Sequence, residues 1–107
     1  MAQLDYFANT DTDTNTNKIY PFMVDVQDNL LSDLNSRVVI PLTPLINLEE
    51  PYPKNLCPII TIEGKDYSLL THQISSISKR FLSHYQGTLA HNRSEIIAAI
   101  DFLITGI

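Results

Sequence analysis

Between Tyr20 and Val26 the chain changes polarity at almost every step: Tyr20, Phe22, Val24 and Val26 lie on one side, Pro21, Met23 and Asp25 on the other. A period of two predicts a strand with one buried face, and Pro21 puts its start there or gives it a free edge. Arg37-Val38-Val39-Ile40-Pro41-Leu42 is rich in β-branched residues and predicts a second strand, stopped by proline. Ile59-Ile60-Thr61-Ile62 and Lys65 to Leu70 flank Glu63-Gly64 and predict a hairpin, with Gly64 taking the positive φ of a tight turn. Thr71 to Ile77 is a further strand candidate through Ile74 and Ile77, and Leu4 to Phe7 is a short, edge-like apolar patch. Asp28 to Asn35 and Ser83 to His91 are polar and predict connections.

The last segment changes period. Ile96, Ile97, Ile100, Leu103, Ile104 and Ile107 fall within an arc of about 120° at 100° per residue, a helical stripe facing the core. Asn92 with Glu95 three residues on fits a capping box, and Gly106 can close the helix. Ser94, Asp101, Phe102 and Thr105 fall on the outer side. About five antiparallel strands followed by one C-terminal helix make an α+β fold, in a single domain spanning residues 1–107.

Asn9 to Asn17 contains only Asn, Asp and Thr, so it has nothing to bury and predicts a long, mobile hairpin tip. Pro44, Pro51, Pro53 and Pro58 exclude an intact helix from the long connection after the second strand. The net charge of −5 argues against a broad grip on nucleic acid, which needs the opposite sign. One cysteine, Cys57, allows no internal disulfide. The first residues have no basic region followed by a hydrophobic one, and no apolar run reaches the ~20 residues of a membrane span. A cytoplasmic protein without membrane contact is expected.

Reactive constellations are thin. His72, His84, His91 and Cys57 show no metal-ligand spacing, and there is no phosphate-binding glycine loop or Gly-x-Ser-x-Gly. Cys57 reads as a small buried hydrophobe. Glu49-Glu50, Asp11, Asp13 and Asp25 read as solubility or turn chemistry, because acid–base work needs a buried carboxyl with a tuned pKa. No metal, cofactor or catalytic residue is expected, and an interaction module is favoured over an enzyme.

Four stretches in order then carry a resemblance: Phe22-Met23-Val24-Asp25-Val26-Gln27, Arg37 to Leu42, Leu56-Cys57-Pro58-Ile59-Ile60-Thr61-Ile62, and Glu95 to Ile107. Together they closely resemble the CcdB toxins of bacterial toxin–antitoxin modules, over nearly everything from Tyr20 to Ile107. The resemblance implies an SH3-like barrel with a larger antiparallel sheet, a small second sheet and a C-terminal helix, assembled as a homodimer. It implies a type II toxin that binds the DNA gyrase A subunit and traps the enzyme on cleaved DNA. It also implies a CcdA-like antitoxin, and operator DNA reached only through the toxin–antitoxin complex, with roles in plasmid maintenance and transcription regulation.

Carried over by position, the gyrase-binding residues are Ile104, Thr105, Gly106 and Ile107 in the tail, Asp28, Leu30 and Leu31 after Gln27, and Ser94 and Asp101 on the helix. The family's Trp-Gly-Ile ending is here Thr105-Gly106-Ile107, and the chain has no tryptophan. Loss of a ring stacked on a gyrase arginine removes up to about 2 kcal/mol, roughly thirtyfold in affinity. Two alternatives stand beside this reading. One is an mRNA-cleaving ribonuclease toxin on the same barrel, for which Lys65, Lys79 and Arg80 are the basic residues on offer. The other is a non-toxic homologue that titrates antitoxin.

Overall fold

The computed structural model describes residues 2–10 and 18–106; most of the Asn/Asp/Thr tip (residues 11–17) and Ile107 lie outside the described residues. Among the described residues seven strands are formed: β1 (Asp5–Ala8), β2 (Phe22–Asp25), β3 (Ser36–Pro44), β4 (Ile59–Ile62), β5 (Lys65–Leu69), β6 (Ser75–Ser78) and β7 (Tyr85–Thr88). The C-terminal helix, α1 (Arg93–Thr105), follows. Every pairing is antiparallel, in the order β4-β5-β3-β2-β1-β7, with β6 also on β3. This curled half-barrel with its C-terminal helix is the expected α+β barrel, built from seven strands rather than about five.

The long strand β3 is the hub. One edge pairs with β2, while the other serves β6 through Ser36–Val39 and β5 through Leu42–Pro44. Pro41 does not stop the strand. Its carbonyl accepts from Leu70 N–H at 3.0 Å, so its missing N–H faces the same edge, in the gap where β6 has ended and β5 has not begun. Proline is tolerated where no ladder donor is needed.

One sheet face carries the main core: Tyr6, Val24, Ile40, Leu42, Ile60, Leu69 and Ile96 are buried together. The other face was expected to meet water, yet Phe7, Val39 and Leu82 are buried there, with Met23 and Ile77 against them. The segment after β6 turns through Lys79–Phe81 and lays Leu82 across that face. Covering both faces is what takes Asp25 out of solvent.

Four local expectations need correction. Leu4 to Phe7 is not an edge, because β1 lies between β2 and β7. Thr71 to Ile77 splits into a 3-10 turn (Thr71–Gln73) and β6. The polar stretch Ser83 to His91 contains β7, a mostly exposed edge strand with no apolar alternation to reveal it; Gly87 lies opposite Tyr6, where an added Cβ would stand 3.0 Å from the ring. The capping box does not form. Asn92 Nδ2 donates to Glu95 Oε1 at 2.8 Å, its side chain makes no cap bond to the backbone, and its buried Oδ1 is left without a partner. The 3-10 turn Ala90–Asn92 runs directly into the helix instead.

The α1 stripe is also rotated and shortened. Ile96 and Ala99 are fully buried and Phe102, expected outside, is half-buried, while Ile104, expected in the core, is 76% exposed. The helix packs against the Thr71–Gln73 turn, and its last turn runs out past the core.

Candidate functional site: an anchored loop and a protruding helix end

The loop after β2 is built on a buried ion pair. Asp25 is fully buried and Arg37 is 1% exposed. Asp25 Oδ2 accepts from Arg37 Nη2 at 2.7 Å and Nε at 2.9 Å, while Oδ1 accepts from Gln27 N–H at 3.0 Å. Residues paired across antiparallel strands share a face: Asp25 lies opposite Val39, and Arg37, two residues earlier, opposite Ile77. Burial pushes the Asp25 carboxyl above its ordinary value, and the guanidinium and the Gln27 N–H offset part of that. The expectation that Asp25 is a solvated carboxylate is therefore wrong. Both charges instead support the chain that follows.

That chain is a succession of tight turns. Asp28 Oδ1 accepts from Leu30 N–H at 2.8 Å, opening the 3-10 turn Asn29–Leu31, an Asx cap of the kind Asp favours. Leu34 N–H then donates to the Leu31 carbonyl at 3.1 Å. Its three leucines are left in solvent to differing degrees: Leu30 is 91% exposed, and Leu31 and Leu34 are each half exposed. Apolar side chains displayed on an ordered loop are a docking feature rather than a reactive one.

At the other candidate region, Ile104, Thr105 and Gly106 are all exposed. Thr105 Oγ1 donates to the Asp101 carbonyl at 2.7 Å. Gly106 has φ 75° and donates its N–H to the Phe102 carbonyl at 2.9 Å, the left-handed helix stop that glycine favours. A Cβ built on Gly106 meets nothing within 4 Å. Ser94 and Asp101 are exposed on the same helix. Gln3 ties the helix start to the loop: its N–H donates to Asn29 Oδ1 at 2.8 Å, and its Oε1 accepts from Arg93 Nη1 at 2.6 Å. The Ser94 end is thus brought to Asp28–Leu31, whereas the tail stands at the far end of a helix about 20 Å long.

The structure also joins two residues that sequence spacing kept apart. Cys57 Sγ lies 3.5 Å from His72 Nδ1, with the Tyr52 ring 4.8 Å from the imidazole. Burial pushes the Cys57 thiol up, only partly offset by backbone N–H groups of Thr71 and His72, so the sulfur is held protonated, the opposite of an activated nucleophile. Among the described residues no three His, Cys, Asp or Glu side chains gather as metal ligands, and no helix is long and apolar enough to cross a membrane.

The buried thiol carries a pH prediction. The folded chain keeps the Cys57 proton to higher pH than the unfolded chain does, and burial acts likewise on the Tyr6 phenol. Stability is then fully present below about pH 8 and declines as the pH rises past the unfolded cysteine value of about 8.5. Urea midpoints measured at pH 7 and at about pH 10 should fall, and Cys57→Ala should reduce the decline. An unchanged slope in that variant would rule out the thiol as a source.

The same arrangement bears on relatedness. The strand carrying the buried aspartate, the loop it supports, the hub strand and the terminal helix all lie within residues 3–106, the stretch matched by the family model described as CcdB protein; covered over nearly its whole length, the chain belongs to the CcdB family.

Proposed function

We propose that this chain is the toxin of a type II toxin–antitoxin module, and that it poisons DNA gyrase by binding the A subunit and trapping the cleaved-DNA complex. Family membership points to the toxin of a toxin–antitoxin pair. The observation that carries the finer reading is the pairing of a hydrogen-bonded loop displaying Leu30 with a helix end left free of packing. The contacting set is Asp28, Leu30, Leu31, Ser94, Asp101, Ile104, Thr105, Gly106 and Ile107. It works by protein–protein contact with no catalytic residue. The loop and tail of one chain stand apart, so a homodimer, placing two copies of each on one particle, suits a large symmetric target.

A cognate CcdA-like antitoxin neutralises it, and operator DNA is met only through that complex. A net charge of −5 disfavours direct DNA binding. Threonine at 105 offers no ring to stack, so more of the affinity rests on the loop leucines. Induced expression should arrest growth of cells with ordinary gyrase and spare cells whose gyrase A subunit is altered at the toxin site. Equal arrest in both, with RNA cleaved by the purified protein, would support the ribonuclease reading instead; no arrest in either would support an antitoxin-titrating homologue.

A further inference from the structure

The loop that displays Leu30 is pinned by a side chain that has no place in the contact surface. Gln27 is 6% exposed, and its carboxamide is engaged at both ends. Its Oε1 accepts from Val38 N–H of β3 at 3.0 Å, and its Nε2 donates to the Leu31 carbonyl at 2.9 Å. Its backbone is gripped as well: the N–H by Asp25 Oδ1, the carbonyl by Arg37 Nη2 at 3.4 Å. One neighbour requires an acceptor and the other a donor, which a carboxamide satisfies and a carboxylate or hydrocarbon does not.

We infer that Gln27 is a positioning residue for the partner-binding loop. It transmits the fixed frame of the Asp25–Arg37 pair and β3 to the turn that holds Leu30 and Leu31 out in water. This rests on the reading of that loop as a gyrase contact. Docking a wandering loop costs the ordering of its backbone and side chains, whereas a loop ordered during folding binds without that loss. The contribution of Gln27 to affinity should therefore pass through the leucines and vanish when they are gone.

Gln27→Glu keeps an acceptor for Val38 and sets an oxygen against the Leu31 carbonyl. Amide hydrogen exchange at Leu31, Ser32 and Leu34 should quicken at least tenfold, with the β3 amides unchanged. Binding to purified gyrase A subunit should weaken about tenfold, but less than twofold when the same change is made in Leu30→Ala/Leu31→Ala. Equal loss in both backgrounds overturns the inference, because it marks a general stability effect; unchanged loop exchange overturns it too. If Leu30→Ala/Leu31→Ala binds gyrase like the unaltered chain, the loop is not the contact and a role in partner binding falls with it, while the exchange data separately decide whether Gln27 pins the loop. Should Gln27→Glu not fold, the unaltered protein decides the matter: the Gln27 carboxamide protons should exchange at least tenfold more slowly than those of exposed Gln73, and equal rates overturn the claim.

Discussion

Arg37→Met is expected to lose about 3–5 kcal/mol of stability, because it leaves the Asp25 carboxylate buried without its counter-charge. Against a total of about 5–15 kcal/mol for a typical domain, that is a drop in melting temperature of roughly 15–30 °C for a chain this size. The methionine nearly matches the arginine stem, so little of the loss comes from packing. The double change Asp25→Asn/Arg37→Met removes both charges and keeps an acceptor for the Gln27 N–H, and should recover most of the loss. Urea unfolding of both variants checks this. A single-variant loss below about 1 kcal/mol, or a double variant weaker than the single, would show that the pair does not support the fold as described.

The second large effect concerns activity rather than stability. Deleting Gly106 and Ile107 should abolish toxicity and leave the fold standing. Gly106 is exposed, a Cβ added there would meet nothing within 4 Å, and its N–H donates to the Phe102 carbonyl; losing such an exposed helix-end bond costs about 1 kcal/mol. Thermal melts and growth after induced expression, run on the same truncated chain, separate the two properties. If the truncated chain still arrests growth, the tail is not part of the contact. If it melts more than about 10 °C lower, the helix end belongs to the core.

These two expectations rest on parts of the molecule that were unequally readable from the residues. The β4–β5 hairpin was legible because Ile59 to Ile62 and Lys65 to Leu69 flank a two-residue turn; both Glu63 and Gly64 have positive φ, the arrangement a tight hairpin requires. The alternation of Phe22, Val24 and Val26 likewise gave the correct core face. Asp25 was placed on the correct side of its strand but in the wrong environment, since a period of two separates faces without saying what covers the second one. Leu82 covers it from more than fifty residues away, and only the three-dimensional path of the chain shows this.

The strand β7 carries no hydrophobic signature for a related reason. At a sheet edge Tyr85-Gln86-Gly87-Thr88 buries little, so pairing with β1 rather than hydrophobicity makes it a strand. The helix stripe failed where the helix outruns its support: Ile104 has the same helical phase as buried neighbours but no surface beneath it. The candidate contact residues came from family resemblance, not from spacing. What the structure adds is that the loop members are displayed on an internally bonded frame, with Gln27 at its centre. Arg37 and Gln27 could have been suspected from sequence only as polar residues inside or beside otherwise apolar strands.

The claim that the protein acts by occupying gyrase, rather than by reacting with it, is tested most directly by a titration. Supercoiled plasmid, purified gyrase at a fixed concentration and increasing amounts of this protein are mixed, and linear DNA released on denaturation is measured. Linear DNA should rise with added protein, level off near equivalence with gyrase and not grow further with time. Absence of linear DNA at any ratio, or a plateau reached with a small fraction of one equivalent and still climbing with incubation, would contradict it.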